Sequence, residues 1–377
     1  RRHLLGSIRR QFYHPPLFHF LAASVYDMML LFGADNEGAF ECVQLMNTYV
    51  AGGCTIVIYF LLKRFPVHPM MRIPMAAGVS FFPFFYVLGT EINNDCLATL
   101  FSLLALLAAF HWADTPDGKH FFLMSLFFVL SMWTKWSEIL TMPVILCIIF
   151  CVMWKRPEDI QKLLAWPFVF VFLVVPLGMG WMFYLSFTYH VPLFFVPTLE
   201  DTSRQFLGDL SAFDRLRPGF FFELSSFVTD LSNGRLHGNI WSQTALTAVF
   251  DEGILVDANP LLGRILLWTV LVFGMLSLIC VVWVMFEGRA DLLYRSTIPV
   301  GFAVLITAYV FYCFLNPFIS AINFRYIPCI LMYDLGAAGI VLSTQGGFFR
   351  GLIRVLWILC ILIISVESSL LYLFYAV

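Results

Sequence analysis

The chain has 377 residues, of which 60% are hydrophobic and only 12% charged, with a formal net charge of −2. A soluble domain is nearer half apolar and a quarter charged, so a soluble globular protein is excluded. No basic cluster accompanies the near-neutral charge, and nucleic acid is not expected as a partner. The composition predicts an all-α fold, a polytopic transmembrane helix bundle.

Residues 1–14 are polar and basic, with Arg1, Arg2, Arg9 and Arg10. Nothing there resembles a signal peptide, and a further N-terminal piece upstream of Arg1 is expected. Then comes Gln11-Phe12-Tyr13-His14-Pro15-Pro16-Leu17-Phe18-His19. The paired prolines forbid helix before them and predict one beginning at Pro15. His14 either faces water at a plain helix start or meets an anion beside the helix N–H groups. Pro15–Phe32 is apolar but interrupted by His19, Ser24, Tyr26 and Asp27, which predicts a helix lying along the membrane surface. Gly33–Glu41 is a polar break.

Ten spans are predicted after it: 42–62, 70–88, 95–112, 119–133, 137–154, 164–184, 261–285, 295–315, 326–343 and 353–376. Drawn so, Lys63, Arg64, Arg72, Lys119, Lys155, Arg156, Lys162, Arg289, Arg295, Arg350 and Arg354 all fall on one side, which is therefore cytoplasmic. The outer side receives residues 1–41, the Glu91–Asp95 turn, the Thr134–Trp136 turn, residues 185–260 and the Asn316–Arg325 loop. Four regions result: 1–41 with the surface helix, 42–184 as a transmembrane module, 185–260 as an outer lid or cap, and 261–377 as C-terminal spans. The nine cysteines lie in or beside apolar runs without metal-type spacing and read as small packing residues.

Three outer turns carry candidate chemistry. Glu91-Ile92-Asn93-Asn94-Asp95 holds two carboxylates four residues apart, which share a face if the turn is helical. It is either a hydrated turn capping the next helix or a functional pair at the membrane boundary. In Thr134-Lys135-Trp136-Ser137, Lys135 either snorkels to headgroups or holds a phosphate, with Glu138 as a possible structural partner. In Asn323-Phe324-Arg325-Tyr326, Arg325 opens a span, where its fork suits a phosphate. Asp334 and Glu367 sit deeper and are expected to face the bundle interior without an assigned role. Carboxylates Glu91 and Asp95, the His14 imidazole and the cations Lys135 and Arg325 form a set suited to a lipid-phosphate-linked substrate, provided the fold brings them together.

Tyr-His-Pro-Pro-Leu, Ile-Asn-Asn-Asp, Met-Trp-Thr-Lys, Val-Pro-Leu-x-x-Val-Pro (Val191 to Pro197) and Phe-Arg-Tyr-Ile, in this order, resemble the type-C (GT-C) integral-membrane glycosyltransferases. The similarity is to the family 39-like branch of protein O-mannosyltransferases and aminoarabinose transferases, and in detail to multi-pass members from Gram-positive bacteria. The resemblance implies a first span and a loop with the main catalytic aspartate upstream of Arg1. It implies catalytic roles for Asp95 and His14, and substrate contacts from Lys135, Arg325, Asn94, Glu91 and Tyr13. Asn323 departs from the aspartate expected there. The implied reaction is inverting transfer of a sugar from a polyprenyl-phosphate donor to a glycan, lipid or protein acceptor on the extracytoplasmic face. The setting would be a bacterial cell membrane, or the ER membrane in a eukaryote, with membrane lipid as a further partner. No cofactor is required; a divalent cation is compatible but not indicated. A transporter or flippase of a lipid-linked or anionic substrate, and an inactive scaffold, are the alternatives. Transporters often show internal repeats and midplane polar sites, whereas this chain has no repeat and its polar set lies at the boundary.

Overall fold

A computed structural model describes residues 13–194, 199, 201–203, 205–217, 238–250, 260–288, 290–343 and 347–374. Among them the only β pairing is an isolated bridge between Phe206 and Phe318, and every longer element is helical. Helices satisfy backbone polar groups within one segment, which a hydrocarbon environment demands.

The first helix is α1 (Leu17–Leu31), followed by α2 (Asn36–Arg64), α3 (Pro69–Ser80), α4 (Pro83–Thr90), α5 (Asp95–Asp114) and α6 (Gly118–Thr134). A 3₁₀ turn, Trp136–Thr141, runs into α7 (Met142–Lys155). Then come α8 (Pro157–Gly178), α9 (Gly180–Tyr189), α10 (Ala212–Leu216), α11 (Ile240–Phe250), α12 (Pro260–Phe286), α13 (Leu292–Leu315), α14 (Ile330–Ser343) and α15 (Phe348–Phe374).

Helix α1 starts at Leu17 with Pro16 as its N-cap, two residues later than the prolines led us to expect. Pro16 itself disfavours helical backbone at Pro15, which delays the start. At 15 residues α1 is about 22 Å long, too short to cross a hydrocarbon core of about 30 Å. It buries Phe18 and leaves Phe20, Met28 and Leu31 exposed.

The expected count of ten spans is corrected. Among the described residues seven helices are long and apolar enough to cross, or eight if α3 and α4, bent by 49° at their break, form one. Helix α6, with 17 residues, and α14, with 14, fall short. Burial explains α14: every residue from Ile330 to Leu342 is buried, so no face meets lipid and no bilayer thickness has to be matched. Two close approaches depend on glycine there. A Cβ on Gly336 would lie 2.6 Å from the Phe65 ring, and one on Gly301 of α13 would lie 2.2 Å from Tyr333.

The described residues fall into two compact units that are not sequential segments. One draws on 1–60 and 88–197, the other on 61–87 and 198–377. Within each, hydrogen bonds join helix ends that the Lys/Arg pattern assigned to the same side. In the first, Arg156 donates to the Asp114 carbonyl at 2.9 Å, and at the opposite ends Asn94 donates to the Thr134 carbonyl at 2.9 Å. In the second, Tyr294 donates to Arg64 O and the His68 N–H to Ser343 Oγ, both at 2.7 Å. At its other ends the Leu207 N–H donates to Pro317 O at 2.8 Å, and Tyr372 to Val249 O.

Candidate active site

Asparagines build the turn that carries Asp95. Asn47, fully buried on α2, donates to the carbonyls of Leu88 at 2.9 Å and Glu91 at 2.6 Å. Asn93 donates to Leu88 O at 3.2 Å, and its Oδ1 accepts the Asp95 N–H at 3.0 Å. Asn94 occupies the N-cap position of α5 without capping it; its amide reaches Thr134 O instead. Residues 91–94 are not helical, so Glu91 and Asp95 do not share a helix face: Glu91 is exposed and Asp95 buried. Sequence reasoning missed Asn47, since one Asn in a span carries no spacing signal.

Asp95 opens α5, where the helix N-terminus favours its charge. Lys135 ends α6 in an extended conformation, and that kink turns its side chain inward. Its Nζ lies 2.5 Å from Asp95 Oδ1, with both residues only 6% exposed. A snorkelling anchor would be exposed; this lysine is buried on an acid 40 residues away in sequence. Removing two ions from water is expensive, and pairing offsets it only while both partners stay, so deleting one costs about 3–5 kcal/mol.

Glu138, which the sequence offered as a structural partner of Lys135, meets it through the backbone and turns its carboxylate elsewhere. Its Oε2 accepts from Ser102 Oγ at 2.6 Å, and Thr141 donates to Ser102 at 3.4 Å. Its own N–H donates to Lys135 O at 3.1 Å, which holds the 3₁₀ turn against the lysine. Ser102 lies on α5 two turns below Asp95 and is fully buried.

The rings of Tyr13 and His14 lie tilted by 34° against each other, with centroids 4.1 Å apart, just ahead of α1. Arg325 belongs to the second unit and does not open a span. It sits in a 3₁₀ turn, Phe324–Tyr326, and α14 begins five residues later at Ile330. Its guanidinium carbon lies 5.5 Å from the Tyr326 ring centroid. Asn323, buried at 4% exposure, accepts the Arg325 N–H at 3.0 Å, so the amide at this position serves as a backbone cap. A cation the sequence did not single out, Arg215, is buried in the same unit, donates to Cys313 O at 2.7 Å and stacks on Phe314 at 4.5 Å. Asp334 is buried as expected, and Glu367 half-buried. Residues 1–12 and 195–197, and with them part of the proline motifs, lie outside the described residues.

Among the described residues no group of three or more His, Cys, Asp and Glu is arranged to hold a metal. The nine cysteines are free thiols, seven of them buried as packing residues.

Residues 13–181 match the family model described as dolichyl-phosphate-mannose-protein mannosyltransferase. Over that stretch the resemblance read from the motifs holds. It takes in Tyr13, His14, Glu91, Asn94, Asp95 and Lys135 and stops before Arg325. With the apolar helices, the match supports a multi-pass membrane glycosyltransferase of the mannosyltransferase type. No curated protein and no solved structure matches the chain.

Proposed function

We propose that this protein transfers a sugar from a polyprenyl-phosphate-linked donor to an acceptor hydroxyl, on the face opposite its Lys/Arg-rich loops. The observation that carries the reading is the buried Asp95–Lys135 pair inside the segment that matches the mannosyltransferase family. A buried ion pair gives little net stability over apolar packing, which makes a pair at a membrane boundary a candidate for chemistry.

In this reading Lys135 stabilises the negative charge that develops on the departing carrier phosphate, and Asp95 keeps the lysine oriented and charged. Arg325, taken by itself in the second unit, carries a planar fork suited to two phosphate oxygens. His14 and Tyr13 are assigned to the donor headgroup, and Asn94 and Glu91 to shaping the turn that presents Asp95. The isoprenoid tail stays among apolar helices, so no nucleotide is needed at the site. Both the cell-membrane location and the extracytoplasmic side rest on the one-sided Lys/Arg distribution.

The test is transfer of labelled sugar from synthetic polyprenyl-phosphate donors by the full-length protein in proteoliposomes. Transfer abolished in the folded double variant Asp95→Asn/Lys135→Met is expected. Equal transfer by that variant would remove these residues from the site.

A further inference from the structure

Lys135 has a second acid three residues away. The Glu138 N–H donates to Lys135 O at 3.1 Å, and the turn holds its carboxylate within electrostatic reach of both the ammonium and Asp95. Among the described residues Glu138 forms no ion pair; its Oε2 accepts from Ser102 Oγ at 2.6 Å instead. Ser102 is fully buried on α5, two turns from Asp95, and accepts in turn from Thr141 Oγ1 at 3.4 Å. A serine hydroxyl carries one proton, so accepting from Thr141 leaves that proton directed at Glu138. One hydroxyl on α5 thus fixes where the charge of the neighbouring turn lies.

The position of that charge matters to an anion. An ammonium has three donors, and a carboxylate seated on one of them takes a place that a phosphate oxygen would otherwise fill. Asp95 and Lys135 together are neutral, whereas a second carboxylate in contact with the ammonium makes the cluster net negative and repels a phosphate. Burial sharpens the effect, because salt screens a buried cluster less than an exposed one. Resting on the proposed function, we propose that Ser102 is a positioning residue: it holds the Glu138 carboxylate off Lys135, so that a donor phosphate, and not a second acid, joins Asp95 on the ammonium. In this role Ser102 acts through Glu138 and not on the substrate, and Thr141 acts through Ser102.

The test is a set of variants of the full-length protein, assayed in proteoliposomes with a labelled polyprenyl-phosphate donor. Ser102→Ala releases Glu138 and should lower kcat/KM for the donor about tenfold or more, the loss expected when a charge-assisted contact to phosphate is blocked. Adding Glu138→Gln removes the competing charge and should bring kcat/KM back to within about threefold of wild type, and Glu138→Gln alone should leave it there. Ser102→Cys, with a weak thiol donor of similar size, carries the comparison if the Ala variant does not fold. A Ser102 that serves packing alone predicts the same kcat/KM in Ser102→Ala with and without Glu138→Gln. That result, or an unaltered kcat/KM in Ser102→Ala, overturns the proposal. Stability reads the same contact without turnover. The coupling between Lys135→Met and Glu138→Gln, taken from the unfolding temperatures of the single and double variants, should grow when Ser102→Ala is added. Equal coupling in the two backgrounds also overturns the proposal. If the wild type transfers nothing from polyprenyl-phosphate donors, the proposed function falls, while the coupling still decides whether Ser102 keeps Glu138 off Lys135.

Discussion

Two ion pairs, one in each unit, look alike and stand in different surroundings. In the second unit Arg350 meets Glu287 at 2.7 Å, tying the start of α15 to the end of α12, and the guanidinium also lies 4.8 Å over the Trp283 ring. Planar stacking and a carboxylate together use both the face and the fork of the guanidinium. The pair of Lys135 and Asp95 in the first unit hangs between a non-helical turn and a 3₁₀ turn, with a second carboxylate, Glu138, close by. A pair carried on two turns is poorly suited to clamping helices. On the proposed function, the contrast separates a structural pair from a reactive one by what surrounds each, since distance does not.

The largest effect should come from breaking the first pair asymmetrically. Lys135→Met leaves a buried carboxylate without its cation and should cost about 3–5 kcal/mol of stability, read as a lower unfolding temperature. Adding Asp95→Asn should restore most of that stability but not sugar transfer. Arg350→Met should lower stability by about 2 kcal/mol, less because the arginine is 19% exposed, and leave turnover per folded molecule unchanged. If the double variant at 95 and 135 recovers activity along with stability, the two pairs are the same kind of object and the contrast fails.

Smaller effects sharpen the comparison. Asn47→Leu removes the donor to Glu91 O and one of the two donors to Leu88 O, and should cost about 1–3 kcal/mol. Because those carbonyls set the Asp95 turn, transfer should fall alongside stability. Arg325→Ala should weaken donor use roughly ten- to a hundredfold. Smallest of all, Asp117 caps α6 by accepting the His120 N–H at 2.8 Å, and that bond holds its carboxyl below the usual range. The contribution is present at neutral pH and is lost as the pH falls through the lowered value. Asp117→Ala should therefore lower the unfolding temperature slightly at pH 7 and not at strongly acidic pH, without touching transfer.

Hydropathy made the helices legible, because span length is a local property. Helix α14 escaped the length rule because its environment is protein on every side, a fact of packing that no window of sequence contains. The site was half legible. Asp95 and Lys135 were identifiable as polar residues at turns on one side of the membrane. That they bond to each other depends on an extended Lys135 and on Asn94 tying its turn to Thr134 O. Arg325 was placed at a helix start because Phe-Arg-Tyr-Ile reads as continuous with the apolar run. The cap from Asn323 and the 3₁₀ turn that follows separate it from α14.

The most direct measurement of the central claim is sugar transfer from a labelled polyprenyl-phosphate donor by the full-length protein in proteoliposomes, comparing wild type with Asp95→Asn/Lys135→Met at equal amounts of folded protein. The account predicts that wild type transfers and that the double variant, folded and of near-normal stability, is slower by about a hundredfold or more. Equal rates for the two proteins, or a wild type that transfers nothing, would contradict it.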